Sequence, residues 1–162
     1  MEVTIFSDGS ARGNPDGPGG FGTIIRYVDP KGVAHEKEIS CGYDKTTNNR
    51  MELMGVISGL EALNRPCRVN VVSDSKYVIS AFNENWVSNW IKKGWKKSDG
   101  KAVKNVELWK RLIEATKIHE ITWTWVKGHD GHPENERCDE LATTAADGLP
   151  DTLLHDDGGD LK

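Results

Sequence analysis

Polar and apolar positions alternate with a period of two along several stretches of this chain and recur at helical spacing in others. Val3-Thr4-Ile5-Phe6-Ser7 alternates and closes on Asp8, which predicts a strand over residues 2–8. Asn14-Pro15-Asp16-Gly17-Pro18-Gly19-Gly20 is a turn cluster. Residues 21–28 and 33–41 read as two further strands joined through Asp29-Pro30-Lys31-Gly32, so the first three strands form an antiparallel meander. From Asn48 the period changes: Met51, Met54, Ile57 or Ser58, and Leu60-Glu61-Ala62-Leu63 recur as on a helix, and Pro66 marks its stop. Residues 68–73 predict a fourth strand, followed by short helices near 75–83 and 86–93 and breaks at Gly94 and Ser98-Asp99-Gly100. A helix follows over 106–117, then a fifth strand over 121–126. After the loop Lys127-Gly128-His129-Asp130-Gly131-His132, Pro133 opens a last helix running to about residue 146. This order predicts an α/β fold with a five-stranded mixed sheet, antiparallel meander plus parallel strands, flanked by helices.

The topology gives the acidic positions a meaning. A right-handed crossover through the first helix places the fourth strand beside the first and parallel to it. Asp8 and Asp74 then share the carboxyl edge of neighbouring strands, where open α/β sheets bind ligands. Strands lie about 4.8 Å apart, so the two carboxylates can share a cation. Glu52, from the first turn of its helix, and Asp139, from the last helix, would complete the cluster. Four carboxylates this close raise one another's pKa unless cations hold them ionised. Hard oxygen ligands suit Mg²⁺, with Mn²⁺ as a substitute. Two such ions about 3.5–4 Å apart can activate water and stabilise a leaving oxygen in phosphodiester hydrolysis. Each acid by itself is an ordinary turn former or exposed helix residue; the signal lies in the four together.

Composition narrows the class. The chain has 162 residues and 36% hydrophobic content, which fits one domain with an ordinary core. No run of 18 apolar residues exists to span a membrane, and Met1-Glu2-Val3 leads directly into a strand with no room for a secretory signal. Cys41, Cys67 and Cys138 show no metal-type spacing and read as reduced thiols of a cytoplasmic protein. The net charge of −4 hides a segment, residues 86–112, with eight bases and two acids; its +6 leaves −10 for the remainder. Such a basic island can be a footprint for a polyanion or simply a solvated lysine-rich face. The tail, 148–162, is acidic and expected to be disordered.

Several blocks resemble the type 1 ribonucleases H: Phe6-Ser7-Asp8-Gly9-Ser10, Thr47-Asn48-Asn49-Arg50-Met51-Glu52-Leu53, Ser73-Asp74-Ser75, Trp125-Val126-Lys127-Gly128-His129, and Gly131-His132-Pro133-Glu134-Asn135-Glu136-Arg137-Cys138-Asp139. They fall in order over residues 2–147, and the last block is long and specific. The resemblance implies a catalytic domain at 1–147 that cuts the RNA strand of RNA/DNA hybrids and leaves 3′-hydroxyl and 5′-phosphate ends. It implies that Asp8, Glu52, Asp74 and Asp139 bind metal and that His129, in a loop flanked by glycines, aids proton transfer or product departure. It also implies that Asn14, Asn48 and Asn49 contact the hybrid and that Lys45, Thr47 and Asn105 form a DNA-phosphate pocket. Amide groups, which donate and accept, suit the reading of 2′-hydroxyls.

Trp86, Trp90 and Trp95 interleave with Lys92, Lys93, Lys96 and Lys97 and resemble the family's basic handle, about residues 86–105, which grips the DNA strand. Trp86 and Trp90 share a helix face; the expectation is Trp90 toward nucleic acid and Trp86 toward the core. Four neutralised phosphates would give a salt slope of roughly −3.6. The chain departs from the family pattern at Asp130, beside His129, and at Lys76, where relatives often carry glutamine. His132 is expected to cap the last helix. With no coiled coil or interface stripe, the expectation is a monomer with no obligate protein partner. Competing readings are another nuclease or recombinase on the same sheet, and a non-enzymatic hybrid-binding module. The Thr-Asn-Asn-Arg-Met-Glu block argues against the first and the four intact acids against the second.

Overall fold

The computed structural model describes residues 2–13, 17–128, 131–148 and 152–156. The elements are β1 (Glu2–Ala11), β2 (Gly19–Val28), β3 (Ala34–Tyr43), α1 (Asn48–Glu61), β4 (Arg68–Ser73), α2 (Lys76–Asn83), α3 (Trp86–Lys92), α4 (Val106–Thr116), β5 (Glu120–Trp125) and α5 (Pro133–Ala146). The strands form one mixed sheet in the order β3-β2-β1-β4-β5. The first three are antiparallel, while β4 runs parallel to both β1 and β5, as the crossover argument requires.

Alternation along β1 assigns the faces. Val3, Ile5 and Ser7 point into the main core, where they meet Leu53, Val56, Ile57 and Leu60 of α1 and Val69 and Val71 of β4. Trp109 of α4 is fully buried at the far side of this core, and its indole N–H donates to Tyr77 Oη at 3.1 Å. The opposite face of β1 and β2 is covered by α5. Its approach depends on glycine: a Cβ on Gly22 would lie 2.4 Å from the Cys138 carbonyl oxygen, and one on Gly20 would lie 2.6 Å from that of Ala142. Backbone can meet backbone there only because neither strand residue carries a side chain.

Three expectations change. Asp8 does not end β1. The antiparallel pairing with β2 continues through Asp8↔Gly22 to Ala11↔Gly19, whereas the parallel ladder with β4 stops at Ser7↔Ser73. Asp8 and Asp74 are therefore each the first residue beyond that ladder. The first helix ends at Glu61, before Pro66, and Glu52 lies one turn further in than its first turn. The third change concerns the tail. Residues 152–156 pack against the domain: Leu154 bridges to Tyr43, its N–H donates to Gly42 O at 2.9 Å, and its carbonyl accepts from Asp44 N at 2.9 Å. Counting charges could not reveal this, because the docking uses backbone bonds and one buried carboxylate.

Candidate metal centre and nucleic-acid surface

The site forms where β1, β4 and α1 converge. Asp8 follows the last parallel pair on β1, Asp74 follows it on β4, and Glu52 points in from α1. Ligand oxygens of these three acids lie within 4.8 Å of one another. Gly9 permits the convergence: a Cβ there would lie 2.6 Å from Glu52 N, so the β1 backbone rests directly on α1. Gly128 performs a similar task beyond β5, where a Cβ would fall 2.6 Å from Asp74 Oδ2. The indole N–H of Trp125 donates to the main-chain carbonyl of Asp74 at 3.0 Å and ties β5 to the same acid. Asp139 meets the cluster through Asp8, whose pKa its neighbouring carboxylate helps to raise. It is not among the three acids that share one mutual ligand distance.

Electrostatics mark these groups as strained without a counter-charge. Burial, then the charges of Asp74 and Asp139, pushes Asp8 up to about 8 from its ordinary 3.8, against a 2.9 Å hydrogen bond from Gly9 N. Glu52 is held well above the usual carboxylate range by burial first and then by Asp8 and Asp74. Its Oε2 is buried with no hydrogen-bond partner. A buried carboxylate with one unpartnered oxygen, beside two more carboxylates, fits a hard divalent cation.

Asn14 and His129 lie outside the described residues, as does Asp130. Lys45, Asn48 and Asn49 are exposed at the start of α1. Thr47 is the N-cap of α1, its side chain accepting from Arg50 N at 3.2 Å. Asn105 is buried, with its Oδ1 accepting from Arg50 Nη1 at 3.1 Å and its Nδ2 donating to Tyr77 Oη at 3.0 Å. His132 occupies the N-cap position of α5 but makes no side-chain cap bond, contrary to expectation.

In the basic segment, Lys92, Lys93, Lys96 and Lys97 are all exposed. The tryptophans are reversed from the expectation. Trp90 is half-buried and packs edge-on against Trp109, with ring centroids 5.2 Å apart, while Trp86 is 38% exposed. Helical spacing puts them on one side but does not say how far that side tilts into the core. Trp95, at φ 65°, lies under the ammonium of Lys110 at 5.7 Å. Trp86, Asn89, Trp90, Lys93, Lys96 and Lys97 line one shallow cleft. A second cleft joins Asn49 of α1 to Trp90, Lys97 and Lys104, so the helix start and the basic segment share one surface. A wider depression against Glu2, Arg26, Arg68 and Thr122 sits at the other end of the strands and contains none of the four acids.

Sequence reasoning missed the supporting residues. Arg50 was visible only as part of a motif; its place three residues after a threonine cap gives no hint of burial. Lys76, where the sequence departs from the family pattern, places its ammonium 4.9 Å from the centre of the Trp125 ring, whose own N–H donates to the Asp74 carbonyl.

The RNase H family model matches residues 1–147. A ribonuclease H of Lachnoclostridium phytofermentans is 66% identical over 148 residues, covering 91% of this chain and 94% of that protein. The crystal structure of LC9-RNase H1, described as a type 1 RNase H with the type 2 active-site motif, superposes with a TM-score of 0.82 at 35% identity; the match covers 90% of this chain and 72% of that one. LC11-RNase H1, solved in complex with an RNA/DNA hybrid, gives a TM-score of 0.62 at 25% identity over 90% of this chain and 96% of that one.

Proposed function

Since the chain belongs to the ribonuclease H family, we propose that it is an endonuclease hydrolysing the RNA strand of RNA/DNA hybrids and leaving 3′-hydroxyl and 5′-phosphate ends. The observation that carries this reading is the convergence of Asp8, Glu52 and Asp74, with ligand oxygens within 4.8 Å of one another. Asp8, Glu52, Asp74 and Asp139 hold two Mg²⁺ ions, with Mn²⁺ as a substitute. When bound, such ions supply the Lewis acidity that activates water and offsets the charge growing on the departing 3′ oxygen. Glu52 is fixed deep on α1 and sets the inner wall of the site. Asp139 reaches it from α5 and closes the opposite side through Asp8. His129 accepts or delivers a proton at the reacting phosphate or assists product departure.

The substrate lies across the exposed surface from the start of α1 to the basic segment. Asn14, Asn48 and Asn49 contact the hybrid near the cleaved bond, and Lys45, Thr47 and Asn105 receive a DNA phosphate. The lysines Lys92, Lys93, Lys96 and Lys97, with Trp90 and Trp95 forming the wall behind them, grip the DNA strand. The cleft joining Asn49 to Lys97 and Lys104 supports one continuous track. The catalytic domain comprises residues 1–147, and the protein acts in the cytoplasm as a monomer. Within the described residues no helix is long and apolar enough to cross a membrane.

The test is to incubate the protein and Mg²⁺ with end-labelled RNA/DNA hybrid, double-stranded RNA and double-stranded DNA. Cleavage confined to the RNA of the hybrid is the expected result. DNA cleavage would point to a different nuclease, and binding without cleavage to a non-catalytic module.

A further inference from the structure

Arg50 gathers three parts of the molecule that lie far apart in sequence. Its side chain is 3% exposed. Nε and Nη2 donate to the two carboxylate oxygens of Asp156, each at 2.9 Å. Nη1 and Nη2 donate to Glu107 at 3.0 Å each, and Nη1 also donates to Asn105 Oδ1 at 3.1 Å. These bonds use the full donor set of a guanidinium. Asp156 is itself buried, its side chain 8% exposed, and its Oδ2 also accepts from Thr46 Oγ1 at 2.6 Å. With Leu154 bonded to Gly42 and Asp44, residues 152–156 form a strap over the connection between β3 and α1.

The strap bears on Asn105. This residue stands at the N-cap of α4 with φ 61°, yet its side chain makes no cap bond. Its amide is turned instead to Arg50 and to Tyr77 Oη. A left-handed residue of this kind persists where its surroundings over-determine it, and here Arg50 is one of two anchors. Arg50 also stands directly above the cap of α1, since Thr47 Oγ1 accepts from its main-chain N–H. Remove the Asp156 carboxylate and the guanidinium loses two bonds. Its remaining charged partner, Glu107, has a side chain 51% exposed, so the cation is drawn toward solvent and away from Asn105.

We propose that Asp156 is a positioning residue for nucleic-acid binding: by holding Arg50 it keeps Asn105 in its phosphate-binding arrangement. The proposal rests on the reading that Asn105, Thr47 and Lys45 receive a phosphate of the hybrid.

The experiment is a double-mutant cycle on the full chain. Asp156→Asn, Asn105→Ala and the double variant are compared with wild type by fluorescence anisotropy of a labelled RNA/DNA hybrid in metal-free buffer, so that nothing is cleaved, and by kcat and KM with Mg²⁺. Thermal melts confirm that each variant is folded. Asp156→Asn should weaken binding about fivefold and raise KM in step, with kcat within about twofold, the size of coupling carried by such networks. In the Asn105→Ala background it should have no further effect. If Asn105→Ala binds like wild type, the phosphate-pocket reading fails and this inference with it. If Asn105→Ala binds weakly but Asp156→Asn binds like wild type, only the inference is overturned. A full additional loss in the double variant would also overturn it, because Asp156 would then act elsewhere than through Asn105.

Discussion

Gly128 abuts the carboxylate of Asp74 so closely that any Cβ at position 128 would lie 2.6 Å from Asp74 Oδ2. The absence of a side chain on one residue thus sets where the other can put its carboxylate oxygen. Gly128→Ala should turn Asp74 out of the cluster while leaving the sheet intact. Turnover should fall about 10–100-fold, the range for losing an outer support of a metal ligand. The Mg²⁺ concentration for half-maximal activity should rise. Unchanged Mg²⁺ dependence would show that Asp74 has room to move.

The buried acids make metal-free stability depend on pH in a defined direction. Asp8 is raised to about 8 from an ordinary 3.8, and Glu52 is raised as well. A carboxyl that binds its proton more tightly when folded stabilises the protein below its unfolded pKa. That contribution disappears as pH rises through the folded value. In a chelator, the melting temperature should therefore fall between about pH 4 and pH 8. Added Mg²⁺ should raise it more at pH 8 than at pH 5. A flat metal-free profile would contradict the repulsion.

Replacing Asp8 separates catalysis from stability. Asp8→Asn removes the charge that burial, Asp74 and Asp139 all oppose. Its turnover should drop more than about 100-fold, beyond the cost of losing an outer support. In chelator at pH 8, however, its melting temperature should exceed that of wild type. Activity near the wild-type rate would remove Asp8 from the metal centre.

The two tryptophans of α3 should part company. Trp90, packed on Trp109, is a stability residue, and Trp90→Ala should cost about 2 kcal/mol, below the figure for a fully buried ring. Trp86 is exposed. Trp86→Ala should change stability by less than about 0.5 kcal/mol but weaken hybrid binding if a base or sugar packs on it. Denaturant melts and anisotropy titrations on both variants read the two effects separately.

Salt should report the basic segment directly. Lys93, Lys96 and Lys97 are exposed and line one cleft. Replacing any one that meets a phosphate should lower the slope of log affinity against log salt by about 0.9. A lysine that leaves the slope unchanged belongs to the solvated face instead.

Much of this arrangement was legible in the sequence because it follows from local rules. Alternation and turn residues located the five strands, helical spacing located α1 and α4, and Pro133 marked the start of α5. The need for a crossover between β3 and β4 placed Asp8 beside Asp74. Other features depend on contacts between distant segments. Gly20 and Gly22 look like ordinary turn or strand glycines until α5 is seen lying on them. Asp156 looks like one more charge in an acidic tail until Arg50 is found beneath it. Trp86 and Trp90 share a face by spacing, but only the position of Trp109 decides which of them is buried.

The residues alone thus determined the order of elements and the mixed sheet, since backbone periodicity and chain connectivity allow few alternatives. The three-dimensional packing decided how near the acids come, which oxygen is left without a partner and which side chains hold the binding surface in place. Those properties depend on distances of a few ångströms between segments far apart in the chain, and such distances are set by close packing rather than by any local pattern.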